Sequence, residues 1–124
     1  MWRVLAPELR RRLHDLDTAA SVAERVRATL LETLPAGDPT ITAVTHRLAT
    51  SPRTLQRQLN AEGTTFQAVL ATTREDLARH YLHLGDLSTP DIAYLLAYDD
   101  TNSFYRAFKT WTGTTPDALR TATA

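Results

Sequence analysis

Apolar residues recur along this chain at spacings of three and four, the period of an amphipathic helix, and nowhere in sustained alternation with polar ones. Val22, Val26, Leu30 and Leu34 make a continuous stripe and predict a helix over about 20–34. Ile41, Val44 and Leu48 predict a short helix from Thr40 to Leu48, and Leu55 with Leu59 another behind Ser51-Pro52, a cap and a first-turn proline. Phe66, Val69, Leu70, Leu77, Tyr81 and Leu82 hold one helical face over about 65–84, a strut of roughly 30 Å at 1.5 Å per residue. Ser88 with Asp91 marks the start of a helix that runs to about Leu96, and Phe104 with Phe108 places the next over about 101–110. A short helix after Thr115-Pro116-Asp117 closes the chain, and Leu5, Leu9, Leu13 and Leu16 predict an extra one over 1–18. Gly37, Gly63, Gly85 and Gly113 each follow a periodic segment, where a left-handed cap is expected. The 20 threonines would suit strands, but without alternation the expected fold is all-α, about seven helices plus the N-terminal extra.

Two of these segments are alike. Placing Leu55 on Phe104 brings Arg57 onto Arg106 and Leu59 onto Phe108, an offset of 49, while the preceding helices align at 48, Thr40 on Ser88 and Leu48 on Leu96. The pattern is a duplicated helix-turn-helix, with Ala49-Thr50 as the first turn and one more residue in the second, Ala97 to Asp100. With the apolar pairs inward, Arg53, Gln56, Arg57 and Asn60 point outward in one unit, and Asn102, Tyr105, Arg106 and Lys109 in the other. Arginine, glutamine and asparagine match the donor and acceptor pattern of base edges in the major groove, and lysine matches phosphate. One such stripe is equally well a solvated helix face; its recurrence favours DNA.

Charge alters this picture by its distribution. The chain carries 14 basic and 14 acidic residues for a net of 0, unlike the basic balance common in nucleic-acid binders. From Thr40 to Asn60, however, there are three arginines and no acid, and Thr101 to Trp111 holds Arg106 and Lys109 and again no acid. Two small basic faces on a neutral body imply modest non-specific affinity and a shallow salt dependence. The run Arg10-Arg11-Arg12 is read as a solvated face. A helical module that binds protein and no DNA is the reading that neutral charge favours, and it stands as the alternative.

Other chemistries find little support. Without cysteine there is no disulfide framework, thiol nucleophile or cysteine zinc site. His80 and His83, with Asp76 a turn earlier, would make part of a metal site, but zinc needs three or four converging ligands and they read as a surface pair, as do His14 and His46 singly. No serine, histidine and acid stand in a catalytic motif, so no enzyme, metal or cofactor is expected. Apolar runs are only a few residues long and no export-signal pattern opens the chain, so a cytoplasmic protein without membrane contact is expected.

Two readers on one strut have a geometric meaning. Units that read one face of B-DNA lie about 34 Å apart, so a single chain would serve an asymmetric site of two boxes about one turn apart. Arg57 and Arg106 are the candidates for bidentate contact with guanine, Asn102 for adenine, Tyr105 for a thymine methyl or phosphate, and Arg53 and Gln56 for base or phosphate. The helix starts at Ser51 and Thr101 would offer backbone amides to phosphate.

From Ile41 to Arg120 the chain resembles the C-terminal DNA-binding domain of AraC/XylS-type transcriptional regulators. The likeness rests on SPRTLQRQL at 51–59, EGTTF at 62–66, Arg74 with Ala78 and Tyr81-Leu82, and DIAYLLAYDDTNSFYRAFKTWTG at 91–113 followed by Thr115-Pro116. It looks most like members that carry a large N-terminal effector-sensing domain. The resemblance implies seven helices, a first unit over about 40–63, a linking helix over about 65–84, a second unit over about 88–113, and control of promoters by contact with RNA polymerase. It implies base-reading positions at Arg53, Gln56, Arg57, Thr101, Asn102, Tyr105 and Arg106. Residues 1–20 look like the connector after a sensor domain absent from this chain, with 21–124 as the DNA-binding domain; an effector would act only through that sensor. Two departures stand out. Each turn has alanine, Ala49 and Ala97, where the family has glycine, and a left-handed alanine costs roughly 1–2 kcal/mol. Thr45 and Thr50 replace an alanine and an apolar residue of the first unit.

Overall fold

The computed structural model describes the backbone of residues 20–123 and the side chains of 20–120. The helix expected over 1–18 lies outside the described residues. Among the described residues seven helices follow in order: α1 (Val22–Thr33), α2 (Ile41–Leu48), α3 (Pro52–Ala61), α4 (Phe66–Leu84), α5 (Thr89–Leu95), α6 (Thr101–Thr112) and α7 (Pro116–Thr123). Their starts are set by small polar residues in extended conformation: Ser21, Thr40, Ser51, Thr65, Ser88 and Asp100 each accept the amide proton of the residue three positions on. At the far ends of α4 and α6, Gly85 and Gly113 take left-handed φ angles of 77° and 78°, which end the helices at no steric cost.

The duplication is visible in single hydrogen bonds. At the first turn Ala49 N–H donates to His46 O and Thr50 N–H to Thr45 O; at the second Ala97 N–H donates to Tyr94 O and Tyr98 N–H to Ala93 O. Every partner is displaced by 48, and each pair forms a Schellman motif with alanine in its left-handed position, φ 55° at Ala49 and 63° at Ala97. The next cap comes at Ser51 in one unit and at Asp100 in the other, which is the expected extra residue in the second turn. Thr45 is buried like its counterpart Ala93, and its hydroxyl donates to Thr42 O at 3.1 Å, so the substitution leaves no polar group unmet.

Two cores form, one per unit. Val26, Leu30, Leu34, Val44, Leu55, Leu59, Phe66 and Leu70 build the first from α1 to the start of α4; Ala78, Leu82, Ile92, Ala93, Leu96, Phe104 and Phe108 build the second. Leu77 packs against both, and Ala97 of the second turn packs against the first. Helix α4, 19 residues and about 28 Å long at 1.5 Å per residue, runs through both cores as the expected strut.

Candidate nucleic-acid interface

Burial of Leu55 and Leu59 rotates α3 so that Arg53, Gln56, Arg57 and Asn60 face solvent, and Phe104 with Phe108 does the same for Asn102, Arg106 and Lys109 on α6. Both pairs of anchors are essentially inaccessible, which fixes the rotation: turning either helix to hide its polar stripe would expose two large apolar side chains, about 1.5–3 kcal/mol each. In α3 the cap is neutral, with Ser51 Oγ accepting from Thr54 N–H at 3.1 Å, and the exposed arginines Arg53 and Arg57 follow it.

The start of α6 differs from expectation. It is capped by Asp100, whose carboxylate accepts from Ser103 N–H at 2.7 Å, and Thr101 is the first helical residue, half-buried. That bond holds the Asp100 carboxyl below the usual carboxylate range, with the nearby Arg106 adding to the effect. The amides expected to receive phosphate at this end are therefore covered by an anion, with Asp99 exposed beside it. Arg106 also donates from Nη2 to Ser103 Oγ at 3.4 Å, so Asp100, Ser103 and Arg106 lie together on one side of the helix.

Tyr105 is not a free member of its stripe. Half-buried, it donates its hydroxyl proton to Asp117 Oδ2 at 2.9 Å on α7, a bond that raises its pKa. The other carboxylate oxygen of Asp117 accepts from Thr89 Oγ1 at 3.1 Å, so one acid on α7 ties α5 to α6. Sequence reasoning gave Asp117 no role beyond a helix start.

Two further residues went unassigned. Glu62, just beyond α3, accepts from the amides of Val22 at 2.7 Å and Ala23 at 2.9 Å, capping α1 from 40 residues away. Arg74, midway along α4, donates from Nε to Leu96 O at 2.9 Å and from Nη2 to Ala97 O at 3.0 Å, with its guanidinium carbon 4.0 Å from the centre of the Tyr98 ring. Both residues stand in the stretches that carry the family likeness, and that was the available signal. Asp76, the acid a turn before the exposed His80, is paired with Arg27 at 2.8 Å, which links α1 to α4. Among the described residues, no helix is long and apolar enough to cross a membrane.

A family profile described as a helix-turn-helix domain matches residues 44–122. The ornithine utilization regulator of Pseudomonas aeruginosa is 40% identical over 110 residues, which are 89% of this chain and 32% of that protein. The crystal structure of the transcriptional regulator CdpR from the same organism superposes with a TM-score of 0.69 at 39% identity, covering 81% of this chain and 31% of that one. The C-terminal domain of AraT, a response regulator from Geobacillus stearothermophilus, gives 0.71 at 28% identity, covering 83% of this chain and 86% of that one. The chain thus spans about a third of the length of the curated relatives it matches.

Proposed function

The chain belongs to the AraC/XylS family of helix-turn-helix transcriptional regulators, and we propose that it binds promoter DNA sequence-specifically by laying α3 and α6 in successive major grooves of an asymmetric site. The observation that carries this is the pair of solvent-facing polar stripes held on buried anchors at equivalent places in two duplicated units. In this reading Arg57 and Arg106 take guanine, Asn102 takes adenine, and Arg53 and Gln56 take base or phosphate. Lys109 meets phosphate, Thr101 contributes its hydroxyl, and Tyr105 contributes its ring, its hydroxyl proton being given to Asp117. The backbone amides of α3 at its Ser51 cap receive phosphate, whereas those of α6 do not.

Residues 21–124 are on this reading the DNA-binding domain of a regulator that works in the cytoplasm. RNA polymerase is the second partner proposed, by family likeness, and an effector would act through a sensor domain outside this chain. No catalytic role is assigned.

Selection of bound fragments from genomic DNA, followed by mobility shift with competitor at low and moderate salt, tests the reading. A competitor-resistant shift is expected, with Arg106→Ala relaxing one base position and Lys109→Ala weakening all sequences alike and lowering the salt slope by about 1. Five base pairs inserted between the boxes should abolish two-site binding. Absence of any resistant shift would favour the alternative, a helical module for protein partners, and sink the DNA reading.

A further inference from the structure

Arg74 touches neither polar stripe, yet it joins the strut to the second reader through an unbroken series of contacts. Its planar fork meets two carbonyls at the end of α5, Leu96 O at 2.9 Å and Ala97 O at 3.0 Å, which have no further helical turn to receive them. Its guanidinium carbon lies 4.0 Å over the Tyr98 ring, Tyr98 meets Phe104 tilted at 5.7 Å between centroids, and Phe104 meets Phe108 edge to face at 5.8 Å. Phe104 and Phe108 are the anchors that set the rotation of α6. The guanidinium is half-buried, and burial lowers its pKa. The turn it grips contains a left-handed alanine, a conformation that free chain would leave.

Among the described residues of the first unit, no side chain donates to the corresponding carbonyls of Leu48 and Ala49, and Thr50 stands where the second unit has Tyr98. The register of α3 follows from its core, to which α4 gives Phe66 and Leu70, and from α1; that of α6 is tied to the rod in addition through Arg74 and Tyr98.

From this asymmetry we infer that Arg74 is a positioning residue for DNA recognition: held on α4, it fixes the second reader relative to the first and thereby sets which spacing between the two boxes the chain accepts. The inference rests on the DNA reading above. Lysine keeps the charge at this place but lacks the planar fork and the stacking face, so the charge alone cannot do the same work.

The test uses the purified chain and the selected site, with the spacer between boxes shortened or lengthened by one base pair, and with single base changes in each box. Wild type should bind best at one spacer and fall away on either side. Arg74→Lys, checked for an intact helical spectrum and melting transition, should lose about tenfold on the optimal site, the loss of one well-placed base contact. Its spacer profile should flatten, and base discrimination should survive only in the box that Arg57→Ala disturbs. If Arg74→Ala fails to fold, Arg74→Lys carries the result. A variant that weakens equally at every spacer and keeps discrimination in both boxes would show a stabilising role only and overturn the inference, as would an unchanged profile. If wild type gives no competitor-resistant shift, the DNA reading falls and this inference with it; wild-type binding with an unaltered variant removes this inference alone.

Discussion

In the first unit the turn at Ala49 closes on its own backbone, and the far end of α3 is tied to α1 through Glu62; in the second, Arg74 on α4 grips the turn at Ala97, and Asp117 on α7 ties α5 to α6. The first core is built mainly of leucine and valine, the second around Phe104 and Phe108 with Tyr98 and Trp111 against them. The first reader opens on a neutral serine cap and the second on Asp100 with Asp99 beside it. Backbone geometry repeated to the individual hydrogen bond is thus supported by different side chains. What two copies must share is the helix-turn-helix trace; the means of holding it, and the charge offered to a duplex, are free to diverge.

The largest test of this contrast is core truncation. Phe104→Ala should cost about 3–5 kcal/mol and Leu55→Ala about 2–5, with Phe104→Ala the more damaging because its ring contacts both Tyr98 and Phe108. Chemical denaturation measures both, and equal losses would mean that the ring contacts of Phe104 add nothing beyond its area. Next, Glu62→Ala should remove about 1 kcal/mol, the usual worth of a helix cap. Amide exchange should quicken most at Val22 and Ala23, and in α6 by no more than the shared loss of global stability; a local change in α6 as large as that in α1 would deny that the supports are separate.

The two left-handed alanines offer a third comparison. Ala49→Gly should raise stability by about 1 kcal/mol, since Ala49 is exposed and its methyl holds nothing. Ala97→Gly should gain less, because its methyl packs on the first core and a buried carbon of that size is worth about 0.8 kcal/mol. Thermal melts that rank the two the other way would show that the turns carry unequal strain. At the DNA surface, Asp100→Asn keeps a capping side chain and removes a charge, so non-specific affinity should rise no more than about fivefold and the salt slope steepen. Ser51→Asp should do the reverse at the first reader, and titration over a range of salt compares them directly.

The smallest effect belongs to alkali. Burial raises the pKa of Tyr98, and the bond to Asp117 raises that of Tyr105, so each holds its proton more tightly folded than unfolded. The stability they contribute is fully present below the ordinary tyrosine range near pH 10 and is lost as pH climbs through the folded values. Both sit in the second unit. Tyr105→Phe should flatten the decline in unfolding free energy above that range, and a slope identical to wild type would remove Tyr105 from the account.

The helices and the outward stripes were legible because their causes are local. Ser or Thr before a periodic apolar run, glycine after it, and two large apolar residues four apart specify start, stop and rotation within about ten residues of chain. The paired offsets of 48 and 49 were legible for the same reason. Asp100 was missed because Asp100 and Thr101 are adjacent residues that both suit a cap, and the pattern does not separate neighbours. Glu62, Arg74 and Asp117 were opaque for another cause: their partners lie 39 to 40, 22 to 23, and 12 to 28 residues away, and no periodicity encodes a contact made only once the helices have packed. Tyr105 matched the stripe by spacing, yet a carboxylate on the last helix draws its hydroxyl aside.

Leu77 lies against both cores, and the second turn rests on the first core through Ala97. A cut through the middle of α4 would leave each product with an apolar scar where its neighbour had been. The halves should therefore melt in a single cooperative transition, although their traces are copies. Two copies of one trace thus make a single folding unit, which a crossover in the middle of α4 would divide only by baring both cores.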